Sequence, residues 1–174
     1  MPPPAAEKTA AIVLAGGRSE RMGVPKALLE WHGSTLLRRA VGIVGRAVGP
    51  VVVVRAAGQE LPPLPARTEV VEDALEGRGP LQGIAAGLEA IGDRAALVFV
   101  TAVDAPLLHP ALVEYVLRSL TYDCDVALPH AHGFPQPLAA AERMSIAARL
   151  DELLAEGRLA TRDLLEDLRV RELD

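Results

Sequence analysis

Residues 10–26, with the sequence AAIVLAGGRSERMGVPK, determine the predicted fold. The first five of these residues form a continuous apolar run, which is typical of a short strand buried in the sheet of an α/β protein. The glycines that follow fall where such a strand ends and where the ligand crevice of an open α/β sheet lies. Gly16 and Gly17 let backbone N–H groups approach an anion that a Cβ would keep away. The segment therefore predicts a strand followed by a phosphate-binding loop.

Three cationic side chains belong to the same loop. Arg18, Arg21 and Lys26 place full positive charges around the space that the glycines leave open. Lys26 is one of two lysines among the eighteen basic residues of the chain, the other being Lys8. A compact ammonium group suits a phosphate, but most lysines are simply exposed and solvated. From the residues alone, both interpretations of Lys26 remain open.

The composition is that of a single globular domain. The chain has 174 residues, of which 50% are hydrophobic and 24% charged, so it can bury a substantial core. We expect a flexible tail over residues 1–9, which contain three prolines, and one domain over residues 10–174. The net charge of −5 argues against nucleic acid or an anionic membrane as the partner.

The sequence gives fewer indications of where the protein is located and whether it forms oligomers. The single cysteine, Cys124, cannot form an internal disulfide. The first residues do not have the pattern of a signal peptide, and no apolar run approaches the roughly 20 residues that span a bilayer. We therefore expect a cytoplasmic protein that does not bind membranes. The sequence leaves the oligomeric state open, with a monomer among the options.

Apolar periodicity predicts the element order β-α-β-β-α-β-α-β-β-α. Strands are predicted at residues 10–14, 51–54, 69–71, 96–100, 126–128 and 137–141. Helices are predicted from an N-cap at Ser34 to about residue 48, from Pro80, and over residues 110–120 and 145–155. Continuous apolar strands that alternate with amphipathic helices predict a three-layer α/β fold. Its sheet should be mostly parallel, with helices on both faces and an antiparallel or irregular element in the C-terminal half.

Two further segments could carry chemistry. Residues 77–83, GRGPLQG, follow Asp73 and open a predicted helix, whose free N–H groups and positive dipole end can meet a ligand. Asp104 follows a buried strand directly, where a carboxylate can share Mg²⁺ with substrate phosphates. Each segment also has a structural explanation, since Gly-Pro turns commonly start helices and Asp often caps a turn or a helix. These alternatives remain open on the residues alone.

Several other kinds of site are disfavoured. His130 and His132 lie near Cys124, but their spacing matches no usual zinc pattern. The sequence has neither the P-loop pattern nor the Gly-x-Gly-x-x-Gly pattern of dinucleotide-binding enzymes, and it lacks the Gly-x-Ser-x-Gly turn of hydrolases. A P-loop kinase or a simple dehydrogenase is therefore not expected.

Two motifs resemble those of a known family. Residues 14–26 resemble the LAGG-x-x-x-RMG-x-x-K signature of the nucleotidyltransferases with a Rossmann-like fold, the nucleotide-diphospho-sugar transferase type. The GPLQG segment at residues 79–83 resembles the GPLxG element of one branch, the molybdenum cofactor guanylyltransferases. Asp73, Asp104 and the PQPLAA segment at residues 135–140 extend the match, which covers residues 10–141.

The resemblance implies roles for individual residues. Nucleotide-binding residues would be Leu14, Ala15, Gly16, Gly17, Lys26, Asp73, Gly79, Pro80, Leu81 and Gly83. Catalytic residues would be Lys26, Arg21 and Asp104. Arg21 and Lys26 would bind the phosphates, Asp73 would hold the guanine or the ribose, and the GPLxG loop would line the base pocket. Asp104 would bind the cofactor, Mg²⁺, as the single carboxylate of its segment.

The implied reaction is the transfer of GMP from GTP to the phosphate of molybdopterin, with release of pyrophosphate. Such transfer depends on positioning and charge neutralisation more than on covalent chemistry by the protein. Two alternatives stay open. The first is a cytidylyltransferase that acts on molybdopterin or on another small phosphorylated acceptor. The second is a nucleotide-binding protein without catalysis, since these 174 residues lack the polar Asn-x-Asn-Thr-Pro-type segment of relatives, which is thought to serve the acceptor.

Overall fold

The computed structural model describes residues 7–17, 23–73, 75, 77–105 and 108–174. The strands in these ranges are β1 (Thr9–Leu14), β2 (Glu30–Trp31), β3 (Ser34–Thr35), β4 (Val51–Ala56), β5 (Thr68–Asp73), β6 (Leu97–Ala102), β7 (Val126–Ala131), β8 (Phe134–Pro135), β9 (Ala139–Arg143) and β10 (Val170–Leu173). The helices are α1 (Leu36–Val44), α2 (Pro80–Ile91), α3 (Pro110–Arg118), α4 (Ala147–Ala155) and α5 (Thr161–Glu166).

A mixed sheet forms the middle layer. Its strand order is β10-β7-β9-β6-β1-β4-β5, with β8 paired to the end of β7, while β2 and β3 form a separate hairpin. β1 pairs in parallel with both β4 and β6, and β5 pairs in parallel with β4. The carboxyl ends of these four strands therefore share one edge of the sheet. The chain leaves β1 towards β4 on one side and reaches β6 on the other, and a ligand crevice is expected at such a reversal of strand order.

Helices cover both faces of the sheet, as predicted. α1 and α3 pack on one face, where the buried side chains include Leu37, Val113 and Phe99. α2, α4 and α5 pack on the other, around Ile12 and Leu150 among others. Alternate residues of β1 point into the two cores, so both faces of the strand are apolar, and this explains its continuous hydrophobic sequence.

One glycine sets how closely α2 approaches the sheet. A Cβ built on Gly87 would lie 2.6 Å from Cδ1 of Ile12 and 2.7 Å from its Cγ1. These distances are shorter than any real carbon–carbon contact, so only glycine fits while the helix stays where it is. The close packing holds the amino end of α2 beside the carboxyl end of β1.

The N-terminal boundary differs slightly from the prediction. β1 begins at Thr9, and the backbone C=O of Lys8 accepts a hydrogen bond from the N–H of Ala96 at 2.8 Å. Glu7 pairs with Arg143 at 3.2 Å. The fold therefore starts before residue 10, and the predicted tail is wrong for residues 7–9. Residues 1–6 lie outside the described part of the chain.

Helix boundaries shifted for local reasons. Thr35 rather than Ser34 caps α1, with its Oγ1 accepting from the N–H of Arg38 at 3.2 Å. The helix ends at Val44, four residues before the predicted end. α4 begins at Ala147, since residues 144–146 form a 3₁₀ turn.

The predicted antiparallel element is confirmed in the C-terminal half. β9 runs antiparallel to both β6 and β7, between which it is inserted. The prediction missed α5 and β10, and β10 pairs with β7 as a parallel edge strand. In the part of the chain that the structure describes, no helix is long and apolar enough to cross a membrane.

Candidate nucleotide-binding site

A cavity of about 480 Å³ opens at the carboxyl edge of the sheet. This volume lies in the range of small-molecule sites in proteins. It is lined by Leu14, Ala15, Gly16, Gly17, Lys26, Val54, Arg55, Ala56, Asp73, Gly77, Gly79, Pro80, Gly83, Ala102, Val103, Asp104 and Leu138. The ends of all four parallel strands contribute, as their common direction requires.

Residues 15–17 follow β1 and begin the predicted phosphate-binding loop, called the glycine loop below; they form one wall of the cavity. Gly17 has a φ of 132°, a conformation that residues with a Cβ rarely adopt. A Cβ on Gly16 would lie 3.3 Å from the backbone nitrogen of Ala56, which is a tight contact. The loop therefore runs close to the end of β4 and presents main chain, rather than side chains, to the cavity.

Lys26 and Asp104 form an ion pair in the cavity. Nζ of Lys26 lies 3.0 Å from Oδ2 of Asp104, although the two residues are 78 positions apart in the sequence. Their side chains are 42% and 57% exposed, so the pair adds little to stability. Asp104 does not cap α3, because His109 does so, with its Nδ1 accepting from the N–H of Ala111 at 3.1 Å. Both charges are thus accessible to a ligand.

The amino end of α2 forms another wall. Gly79 is the N-cap with a φ of 75°, and Pro80 is the first helical residue, so the segment both starts a helix and lines the cavity. A Cβ on Gly83 would lie 3.0 Å from Cδ2 of Leu14, which explains glycine in the first turn. The unpaired N–H groups and positive dipole end of α2 favour a negatively charged or hydrogen-bond-accepting ligand here.

Asp73 ends β5 and lines the cavity. Its Oδ1 accepts a hydrogen bond from the N–H of Leu75 at 3.0 Å, which fixes the carboxylate at the strand end. Within the described ranges no other hydrogen bond to this carboxylate is seen, so its remaining lone pairs can accept from hydroxyl or N–H donors of a ligand.

The structure brings together most of the residues that the sequence singled out. Those that line the cavity are Leu14, Ala15, Gly16, Gly17, Lys26, Asp73, Gly79, Pro80, Gly83 and Asp104. Arg18 and Arg21 lie outside the described residues. Leu81 does not line the cavity, and its predicted place in the base pocket stays a prediction. Its side chain is fully buried against the core on the far side of the segment, because one helical step past Pro80 turns it away from the ligand space.

Some lining residues were missed. Arg55 and Ala56 end β4. The expectation that a ligand binds where parallel strands end, which singled out Gly16 and Asp104, applied to them as well. Leu138 comes from the segment between β8 and β9, within the PQPLAA segment of the resemblance, but it was not singled out as a site residue.

The cavity offers a carboxylate oxygen as a possible metal ligand. Among the described residues, no group of three or more His, Cys, Asp and Glu side chains could hold a metal ion. His130 pairs with Glu172 and is not among the residues that line the cavity. Asp104 contributes one carboxylate beside the space where phosphates would lie. A single carboxylate plus substrate phosphates and water is a typical environment for Mg²⁺, so the residues fit that ion.

Comparison with known proteins identifies the family. Residues 11–172 match the MobA-like NTP transferase domain. The chain belongs to this family. A relative from Mycobacterium ulcerans (strain Agy99), named probable molybdenum cofactor guanylyltransferase, is 42% identical over 161 residues, covering 90% of this chain and 79% of the relative.

Solved structures agree on the fold of this MobA-like protein. Molybdopterin-guanine dinucleotide biosynthesis protein A from Archaeoglobus fulgidus aligns with a TM-score of 0.70 at 24% identity, covering 94% of this chain and 82% of that one. A 2-C-methyl-D-erythritol 4-phosphate cytidylyltransferase from Thermus thermophilus aligns with a TM-score of 0.74 at 22% identity, covering 96% and 88%. The fold is therefore shared by proteins named for guanine and for cytidine nucleotides, and it does not select the base by itself.

Proposed function

We propose that this chain is a guanylyltransferase that transfers GMP from GTP to the phosphate of molybdopterin and releases pyrophosphate. The relatives named molybdenum cofactor guanylyltransferase support this function at 42–43% identity. The observation that carries the proposal is the meeting of Lys26 and Asp104, 3.0 Å apart, beside the glycine loop. That arrangement supplies both a cation for phosphates and a carboxylate for a metal ion in one cavity.

The nucleotide would lie across the carboxyl edge of the sheet. Backbone N–H groups of residues 15–17 and the ammonium group of Lys26 would hold the triphosphate. Arg21 is a further proposed phosphate ligand, on the sequence pattern alone. The base would lie towards Asp73 and the amino end of α2, where Gly79, Pro80 and Gly83 line the cavity.

In the proposed reaction, an oxygen of the acceptor phosphate forms a bond to the α-phosphorus of GTP. The bond between that phosphorus and the bridging oxygen to the β-phosphate breaks, and pyrophosphate leaves with the electron pair. Lys26 would neutralise the negative charge that develops on the phosphate oxygens, and the backbone of Gly16 and Gly17 would help to keep the reacting groups in line. Mg²⁺ held by Asp104, when bound, supplies a second positive charge on these oxygens.

Release of pyrophosphate tests the proposal. The chain is mixed with GTP, Mg²⁺ and molybdopterin, and pyrophosphate is measured with and without the acceptor. We expect acceptor-dependent release, and a fall of at least about 100-fold in Lys26→Ala, the order expected when one charged stabiliser of a transition state is removed. Lys8→Ala is the matched control, because Lys8 is the only other lysine and lies outside the cavity. Absence of acceptor-dependent release from the unmutated chain would remove the proposed function.

Asp104→Asn tests the metal role without relying on turnover. Binding of Mn²⁺ in the presence of GTP is measured by electron paramagnetic resonance, since Mn²⁺ takes oxygen ligands much as Mg²⁺ does. We expect the variant to lose at least tenfold in affinity for the ion. Unchanged affinity would assign the metal to other residues.

A further inference from the structure

Gln59 joins the two strands that flank the glycine loop, although its side chain does not line the cavity. Its Nε2 donates a hydrogen bond to the backbone C=O of Ala15 at 2.9 Å. Its Oε1 accepts one from the backbone N–H of Ala56 at 3.0 Å. Ala15 and Ala56 both line the cavity, on β1 and β4 respectively. One side-chain amide therefore bonds to both strands at the point where the loop begins.

The amide takes the place of one backbone hydrogen bond between β1 and β4. The parallel ladder of β1 and β4 pairs Leu14 with Val54, and the N–H of Ala15 then donates to the C=O of Val54 at 2.8 Å. In a parallel ladder the next bond joins the N–H of Ala56 to the C=O of Ala15. Gln59 supplies a donor to that carbonyl and an acceptor to that N–H instead. Its amide thus lies between the two strands and holds them apart.

A local turn brings Gln59 back to this place. The backbone N–H of Gln59 donates to the C=O of Ala56 at 3.0 Å, and Gly58 within this turn has a φ of 70°. The guanidinium group of Arg55 donates to the C=O of Gln59 at 3.1 Å and pairs with Glu72 on β5 at 2.8 Å. The turn is therefore fixed to its own strand and, through Arg55, to the neighbouring one.

We infer that Gln59 is a positioning residue that keeps the mouth of the nucleotide site open between β1 and β4. Without its amide, the N–H of Ala56 and the C=O of Ala15 can bond to each other directly. That bond would draw the start of the glycine loop towards β4, where Gly16 already lies close to Ala56. The loop would then be displaced from the position that receives phosphates. The inference rests on the proposed function, because it takes the cavity to be the GTP site.

Two variants and one control test the inference in the full chain. Gln59→Ala removes the amide, and Gln59→Asn keeps an amide but shortens the side chain by one methylene, so that it no longer reaches both strands. Ser119→Ala is the matched control, because the hydroxyl of Ser119 also donates to a backbone carbonyl, that of Tyr115 at 2.9 Å, at the end of α3 and outside the cavity lining. GTP and acceptor KM, kcat and the thermal midpoint are measured for each.

For both Gln59 variants we expect the KM for GTP to rise about tenfold, the order expected for two hydrogen bonds. The acceptor KM and kcat should change less than threefold, and Ser119→Ala should match the unmutated chain. A crystal structure of Gln59→Ala should show the N–H of Ala56 bonded directly to the C=O of Ala15. An unchanged KM for GTP in both variants, or strands that stay apart in the crystal, would overturn the inference. If the proposed function itself is wrong, the result is different, because the unmutated chain would then show no turnover.

Discussion

Glu142 carries a buried carboxyl group whose ionisation should set the pH dependence of stability. It lies on β9 and is 3% exposed, and its Oε2 has no hydrogen-bond partner among the described residues. The small cavity beside it is otherwise lined by Leu81, Ile84, Pro137, Ala140, Thr161, Leu164 and Leu165, none of which is charged. Its ladder partners, Val98 and Val126, are also apolar. Burial without a compensating charge raises the pKa of Glu142 from 4.5 to about 7.

The sign and the size of the effect follow from this pKa. The folded chain holds the proton more tightly than the unfolded one, so the contribution of Glu142 is fully present below pH 4.5 and is lost as the pH rises to about 7. At about 1.4 kcal/mol for each pKa unit, the total loss is roughly 3 kcal/mol. Glu142→Gln keeps the shape of the neutral acid and removes the titration, so its stability should not follow this pH dependence.

The assay is urea unfolding of Glu142→Gln and the unmutated chain at intervals between pH 5 and pH 8. We expect the free energy of unfolding of the variant to rise relative to that of the unmutated chain as the pH increases, and to level off above pH 7. Glu166→Gln is the control, because that carboxylate is 67% exposed. Parallel pH profiles for Glu142→Gln and the unmutated chain would show that Glu142 does not titrate with a raised pKa.

Two further predictions concern packing and charge. Gly87→Ala should lower the free energy of unfolding by about 1–3 kcal/mol in urea titrations, because its Cβ would overlap Ile12; no loss of stability would mean that α2 can shift at little cost. Hydrogen bonds from Arg169 lower the pKa of Asp125, so this carboxylate stabilises the fold above its unfolded pKa of 3.8 and loses that effect as the pH falls. Asp125→Asn should therefore be less stable than the unmutated chain at pH 7, with the difference shrinking on acidification; a constant difference from pH 7 to pH 3 would contradict this account.

The sequence predicted the elements that hold the site because their signals are local. A continuous apolar run marks a strand buried on both faces, and parallel strands must end at the same edge of the sheet. Residues just past such runs, among them Gly16, Asp73 and Asp104, therefore had to converge. The order of the sheet strands beyond β6 had no comparable signal, since the insertion of β9 depends on contacts between distant segments.

Other features depended on geometry that no pattern encodes. The sequence does not show that the amide of Gln59 returns to the start of the glycine loop, because this depends on the turn at Gly58. The GPLQG segment was correctly placed at a helix start, but the side on which Leu81 lies is set by the helical phase relative to the sheet. α5 and β10 were missed because they are short, at six and four residues, and β10 is an edge strand whose exposed residues interrupt any apolar run.

Two labels of GTP, followed through the reaction with molybdopterin, show directly which phosphate is transferred. GTP labelled at the α-phosphate and GTP labelled at the γ-phosphate are each incubated with the chain, Mg²⁺ and the acceptor, and the products are separated. CTP labelled in the same way is run in parallel. We expect the α-label of GTP to appear on the acceptor and the γ-label in pyrophosphate, with CTP reacting far more slowly. Transfer of the γ-label to the acceptor, or faster transfer from CTP, would contradict the proposed function.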